Sequence, residues 1–381
     1  MNLPWSVNAT PVSWHAASVT DSLSIACGQL ISVGFEGTSM PAVLRARIVS
    51  GEVGGVTVFG PNLEAPAQVG ALVGALRKAS PTDVPLVVSI DQEGGRVQRL
   101  RSPLTVWPPM ATVGAANDPD RTETLGRFLG AELAALGIGW NLAPDLDVHT
   151  NPANPVIGDR AFGTTTEQVI RHALAFWRGL RHAGLAGCGK HFPGHGDTSV
   201  DSHFDLPVVL HDEARLRAVE FAPFAAAAKA GIDALMTAHV MYTALDPDRP
   251  ATLSHKIVTG VLRKELGFEG LIVSDDLSMK AVADRNSPGE LAVAAIVAGV
   301  DHLLVRRPES AQIEMHAGLV REAEKSAVFR ARILESTARV AVFKKRITVG
   351  MPQPGALLPS LLGPPGHKAL AGWFAAQVNG T

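Results

Sequence analysis

The chain has 381 residues, 46% hydrophobic and 18% charged, with 34 basic against 36 acidic side chains. A chain of this length buries roughly three quarters of its unfolded surface and needs no disulfide staple. Its two cysteines, Cys27 and Cys188, lie outside any CxxC spacing and make neither a zinc ribbon nor a disulfide framework. There is no basic stripe to grip nucleic acid, no apolar stretch of about 18 residues to span a membrane, and no export pattern in residues 1–30. The expectation is a soluble, globular protein of the cytoplasm.

Short apolar, β-branched runs recur along the chain: Gln29–Phe35, Gly55–Phe59, Leu86–Ile90, Gly139–Ala143, Ala186–Gly189, Ala234–Ala238, Leu271–Val273 and His302–Val305. Between them the apolar period changes to that of helices, near 41–50, 66–79, 119–137, 166–183, 211–230, 257–266, 287–298 and 311–324. In 166–183, Val169, Leu174, Trp177 and Leu180 share one face while Arg171 and Arg178 fall off it, and Gly184 closes the end. Unbroken apolar strands alternating with helices imply parallel strands covered on both faces. Eight such units predict a single (β/α)8 barrel, where a doubly wound sheet usually takes five or six strands. A further helix, Ala327–Arg346, is expected to pack outside the barrel. A Pro/Gly-rich tail follows from Gly350, and within it Leu370–Val378 could dock as a short helix. The expected division is a catalytic domain over 1–349 and an extension over 350–381.

Barrel enzymes carry their chemistry at the C-terminal ends of the strands. Here those ends hold Asp91 (IDQEGG), Asp159 and Arg160 (IGDRAFG), Lys190 and His191, His239, and Asp275 with Asp276 (VSDD). Any one of them reads equally well as a helix cap or loop former. Their coincidence on one rim is the stronger sign. In DQEGG, Asp91 either caps a helix, with Gly94 and Gly95 making a turn at positive φ, or accepts hydroxyl groups of a substrate beside Arg96 or Arg99. The loop from Lys190 to Pro207 contains His191, His195, Asp197, Asp201 and His203. Asp201-Ser202-His203 places a carboxylate two residues from an imidazole, a pairing suited to a general acid-base. His191, His195 and Asp197 also resemble a metal-ligand set, but no HxH or HExxH pattern accompanies them. Asp275 is expected to face the barrel mouth, and Asp276 the start of the next helix.

These segments (IDQEGGRVQRL at 90–100, IGDRAFG at 157–163, GKHFPGHGDTSVDSH at 189–203 and VSDDLSM at 273–279) resemble glycoside hydrolase family 3, in its β-N-acetylglucosaminidase branch. The resemblance runs from about Gln29 to Arg346. It implies a retaining enzyme with Asp275 as nucleophile and His203, paired with Asp201, as acid-base. Asp91, Arg99, Arg160, Lys190 and His191 then match positions holding sugar hydroxyls. It implies no metal and no cofactor, and a substrate with terminal β-linked N-acetylglucosamine, such as a peptidoglycan fragment in recycling. A neutral imidazole base repels an anionic acceptor less than a carboxylate would, which leaves phosphorolysis as an alternative; a metal-dependent barrel hydrolase is another. The oligomeric state is not legible in the sequence.

Overall fold

The computed structural model describes residues 19–200 and 206–378. Eight parallel strands form a closed barrel: β1 (Ile31–Val33), β2 (Gly55–Val58), β3 (Val87–Ile90), β4 (Trp140–Asn141), β5 (Ala186–Phe192), β6 (Ala234–Thr237), β7 (Leu271–Asp276) and β8 (His302–Val305). Every one matches an apolar run in the sequence. Each strand pairs with its sequence neighbour, and β1 closes the ring on β8 through Ile31↔Leu303 and Val33↔Val305. The strands are apolar because side chains on both faces are buried, inward among themselves and outward under the helices. No helix among the described residues is long and apolar enough to cross a membrane.

The helical layer follows the predicted elements, except that Lys256–Glu265 is wound as a π-helix, and with three further differences. In Thr166–His182, Phe176 and Ala173 lie in the buried stripe while Leu174 is only partly covered. The stripe is wide because this helix meets Pro119–Ala135 at close range, where a Cβ on Gly126 would lie 2.2 Å from the Phe176 carbonyl oxygen. The segment 211–230 is two helices, Glu213–Ala218 and Ala222–Ala230. Pro223, in the first turn of the second, has no N–H to continue the first helix, and its ring collides with the preceding turn.

The third difference concerns the helix expected on the outer ring. Ala327–Lys345 instead closes the N-terminal end of the barrel. Its Val340 and Phe343 pack among the first residues of the strands, and the Phe343 ring stands 4.7 Å from that of Trp140 on β4. Arg332 (2.9 Å), Arg263 (2.6 Å) and Arg339 (3.4 Å) converge on the buried Asp301 that precedes β8. The tail returns to the barrel wall as a helix from Pro365 to Val378, five residues earlier than the Leu370 start. Phe374 is fully buried, and His367 reaches Glu132 at 2.7 Å. The tail shares the main hydrophobic core.

Candidate active site

The C-terminal ends of the strands meet in a polar cavity of about 190 Å3. Its floor is set by the segment leaving β3. Asp91 starts no helix; the chain turns into a ribbon pairing Gln92–Gly94 with Val97–Gln98. Gly94 (φ 117°) and Gly95 (φ 55°) make that turn, in a region that disfavours other residues. Asp91 is therefore no cap. Its Oδ1 accepts from Lys190 Nζ at 2.8 Å, and the ribbon carries Glu93 inward beside it.

A buried chain of opposite charges results. Lys190 Nζ also lies 2.5 Å from Glu93 Oε1, and Arg160 grips Glu93 with both Nε (2.9 Å) and Nη2 (2.8 Å). Arg160 Nε stands 3.8 Å from Asp145 Oδ2, and Asp145 Oδ1 accepts the Asp147 N–H at 2.8 Å. Asp147 in turn accepts from His191 Nδ1 (2.7 Å) and from the His195 backbone N–H (2.6 Å). Burial alone would raise Glu93, but Arg160 and Lys190 outweigh it and hold the carboxyl well below its usual range. Burial would likewise lower Lys190, yet Asp91 and Glu93 keep it charged. Burial, then the repulsion of Asp147, drives Asp145 well above the ordinary carboxylate range. His191 is pushed down to about 4 by burial and then by Arg160. Burial and then His191 bring His195 to about 4 as well. Both rings are neutral near pH 7. Because His191 Nδ1 donates to Asp147, its Nε2 is left as an acceptor, 3.5 Å from Arg160 Nη2.

Asp275, at the end of β7, lines the same cavity. Its Oδ1 accepts the Asp276 backbone N–H at 2.7 Å. Asp276 caps no helix; its Oδ1 accepts from Ser278 N–H (3.0 Å), Ser278 Oγ (2.7 Å) and the Arg306 backbone N–H (2.9 Å), which ties the β7 and β8 exits together. One cavity thus gathers Asp91, Arg99, Arg160, Lys190, His191 and Asp275, all anticipated from the sequence. Asp201 and His203 lie outside the described residues. The stem leading to them is pinned: Asp197 accepts from Thr150 at 2.9 Å and is held by His211, while Asn154 donates to the His195 carbonyl at 2.8 Å.

Other polar residues have structural duties. Arg96 donates to Asp159 at 2.7 Å and to the carbonyls of Val156 and Ile157, stitching two loops together. His239 bridges Thr252 and the Asp276 carbonyl inside the wall. Asp197 turns toward Thr150 and His211, so it forms no cluster with His191 and His195. The group with ligand-like spacing among the described residues is Asp145, Asp147 and His191, with atoms within 4.8 Å of one another. There the Arg160 guanidinium already faces Asp145 and the imidazole is committed to Asp147.

Sequence reasoning passed over Glu93, Asp147, Phe59 and Arg306. Glu93 sat within DQEGG, and its signal was that a buried ribbon, rather than a helix, continues from β3. Asp147 comes after β4, whose short apolar run obscured the exit.

Fold and site together define a barrel enzyme with its working groups at the strand ends. The profile described as Glycosyl hydrolase family 3 N terminal domain matches residues 22–343, and the chain belongs to that family. It is 36% identical over 362 residues to β-hexosaminidase A of Pseudoalteromonas piscicida, covering 87% of this chain but only 60% of that protein. A β-hexosaminidase of Alkalilimnicola ehrlichii is 39% identical over 287 residues, 74% of this chain and 81% of the relative. Among solved structures, a family 3 β-N-acetylglucosaminidase from Paenibacillus sp. str. FPU-7 superimposes with a TM-score of 0.87 at 39% identity, over 95% of this chain and 69% of that one. The β-N-acetylhexosaminidase of Beutenbergia cavernae gives 0.81 at 36% identity, over 87% of this chain and all (100%) of that one. The chain is a glycoside hydrolase.

Proposed function

We propose that this protein is an exo-acting, retaining β-N-acetylglucosaminidase that removes terminal N-acetylglucosamine through a covalent glycosyl-aspartate. One observation supports the reading: Asp275 lines the same cavity as Asp91, Arg160, Lys190 and His191. Asp91, Arg160 and Lys190 offer charged acceptors and donors at fixed positions, and neutral His191 adds an acceptor, the chemistry that holds a ring of hydroxyls. At about 190 Å3 the cavity is smaller than the roughly 300 Å3 at which pockets for larger ligands begin, which favours one terminal sugar over a threaded chain.

In this reading Asp275 attacks the anomeric carbon as the glycosidic bond breaks. His203, oriented by Asp201, protonates the leaving oxygen and then activates the acceptor water. Arg160, Lys190, Asp91 and Arg99 hold the hydroxyls, while neutral His191 accepts one through Nε2. The catalytic unit is the domain of 1–349, and in the extension of 350–381 the helix Pro365–Val378 packs against its wall. The names of the relatives support the sugar; a place in cytoplasmic recycling of peptidoglycan fragments is the finer part of the proposal. Incubation with a fluorinated N-acetylglucosaminyl donor that traps the intermediate, followed by peptide mapping, tests it. A label on Asp275 is the expected result, and a label elsewhere, or none with turnover intact, overturns it.

A further inference from the structure

The catalytic cavity is lined by four cations, and three have carboxylate partners. Lys190 is bound to Asp91 and Glu93, Arg160 to Glu93, and Arg99 lies 4.0 Å from Asp91. The fourth is Arg306, just past β8. Among the described residues its guanidinium meets no carboxylate within 4.0 Å and donates no hydrogen bond. It lies instead over Phe59, with Cζ 4.6 Å from the ring centroid.

The position is built rather than incidental. The Arg306 backbone N–H is fixed by Asp276 at 2.9 Å, and its carbonyl accepts from the buried Gln312 at 3.1 Å. Phe59 is fixed by its own N–H donating to Asn62 Oδ1 at 2.9 Å. Stacking holds the plane of the guanidinium without consuming its N–H groups, so its fork of donors stays available to a ligand. A half-buried charge left without a counterion has a desolvation cost that the fold does not recover from a partner.

The barrel order places this charge relative to the reaction. Asp91, Arg160, Lys190 and His191 come from the segments after β3, β4 and β5, whereas Arg306 follows β8, with its backbone N–H held by Asp276, the residue after Asp275 at the end of the adjoining β7. If the first group holds the hydroxyl edge of the sugar and Asp275 meets its anomeric carbon, Arg306 stands at the reacting end. We propose that Arg306, stacked on Phe59, is an oxyanion-binding group that recognises a negative charge at the reacting end of the sugar. Two sources share that chemistry: a carboxylate carried by the leaving part of the substrate, or a free phosphate ion beside the sugar. The proposal rests on the reading of the cavity as a sugar site.

Binding of uncleavable ligands tests it without turnover. Calorimetry compares phenyl 1-thio-β-N-acetylglucosaminide with the same compound carrying a carboxylate on the phenyl ring, for the full chain and its Arg306→Gln and Arg306→Lys variants. Each is checked for folding by thermal denaturation. The expected result is at least tenfold tighter binding of the carboxylated ligand, falling to less than twofold in Arg306→Gln. Arg306→Lys should retain part of the advantage, since it keeps the charge and loses the fork. A second arm adds inorganic phosphate with the plain ligand. Tighter joint binding that Arg306→Gln abolishes, without a carboxylate advantage, supports the assignment with the free ion as source. No advantage in either arm, or an advantage that Arg306→Gln leaves intact, overturns it. Failure of both thioglycosides to bind overturns the sugar reading of the cavity, and this assignment with it.

Discussion

Arg160 and Glu93 meet fork to fork, with Nε to Oε2 at 2.9 Å and Nη2 to Oε1 at 2.8 Å, in a place almost closed to water. Lys190 binds the same carboxylate, so one buried anion sets the aim of two cations. Removing that anion takes the fork from Arg160 and leaves Lys190 with Asp91 alone. Glu93→Gln is expected to cost about 3–5 kcal/mol of stability, the usual result of breaking a buried pair from one side. Denaturant titration measures the loss. KM should also rise, because Arg160 and Lys190 then lose their fixed positions.

Asp275 lines the cavity from the end of β7, whereas the fork of Arg160 and Glu93 is built on the segments after β4 and β3. Asp275→Ala is therefore expected to lower kcat on the order of 10⁶-fold, as loss of a covalent nucleophile does. The melting temperature should stay close to that of the parent. Steady-state rates on an aryl β-N-acetylglucosaminide and a thermal scan provide the two readings.

Leaving-group dependence tests the proposed acid. A general acid contributes about 10²–10⁴-fold where the departing oxygen needs a proton. His203→Ala should approach that loss on alkyl or sugar aglycones and lose much less on nitrophenyl glycosides. Equal losses on both would remove His203 from the acid role.

Acid should weaken the fold through His191 and His195. Both have native pKa values near 4, while the unfolded chain titrates histidine near 6.5. Between those values the unfolded state binds more protons than the native one, so stability rises with pH through this window and is lost as pH falls from about 6.5 to about 4. The contribution is fully present above 6.5. Urea melts at pH 7, 5.5 and 4.5 should show it, and His195→Asn, which cannot titrate there, should flatten part of the slope.

The tail helix offers a test remote from the chemistry. Phe374 is fully buried against the barrel wall, and its truncation to Ala should cost about 3–5 kcal/mol. Turnover of the folded protein should be unchanged, since no residue of 365–378 lines the catalytic cavity.

Much of this molecule is decided by local pattern. Val87–Ile90 and His302–Val305 are apolar at nearly every position because each such strand is covered on both faces, and that requirement leaves its mark on a few neighbouring residues. Helix periods and strand runs together were enough for the barrel, and the barrel was enough to say that Asp91, Lys190, His191 and Asp275 share a rim. What the sequence could not decide is set by partners distant along the chain. Asp91 reads equally as a helix cap or an acceptor of substrate hydroxyls until Lys190, 99 positions away, is seen to bind it. Ala327–Lys345 looks like one more amphipathic helix, and only the apolar opening around Trp140 makes it the base of the barrel. Glu93 is one acidic residue among 36 acidic side chains until closure of the ring sets it between two cations. Strand and helix arise from the spacing of side chains that are neighbours in the chain. Which charges meet, and which cation is left facing the substrate, depends on how the closed ring brings distant strand ends together.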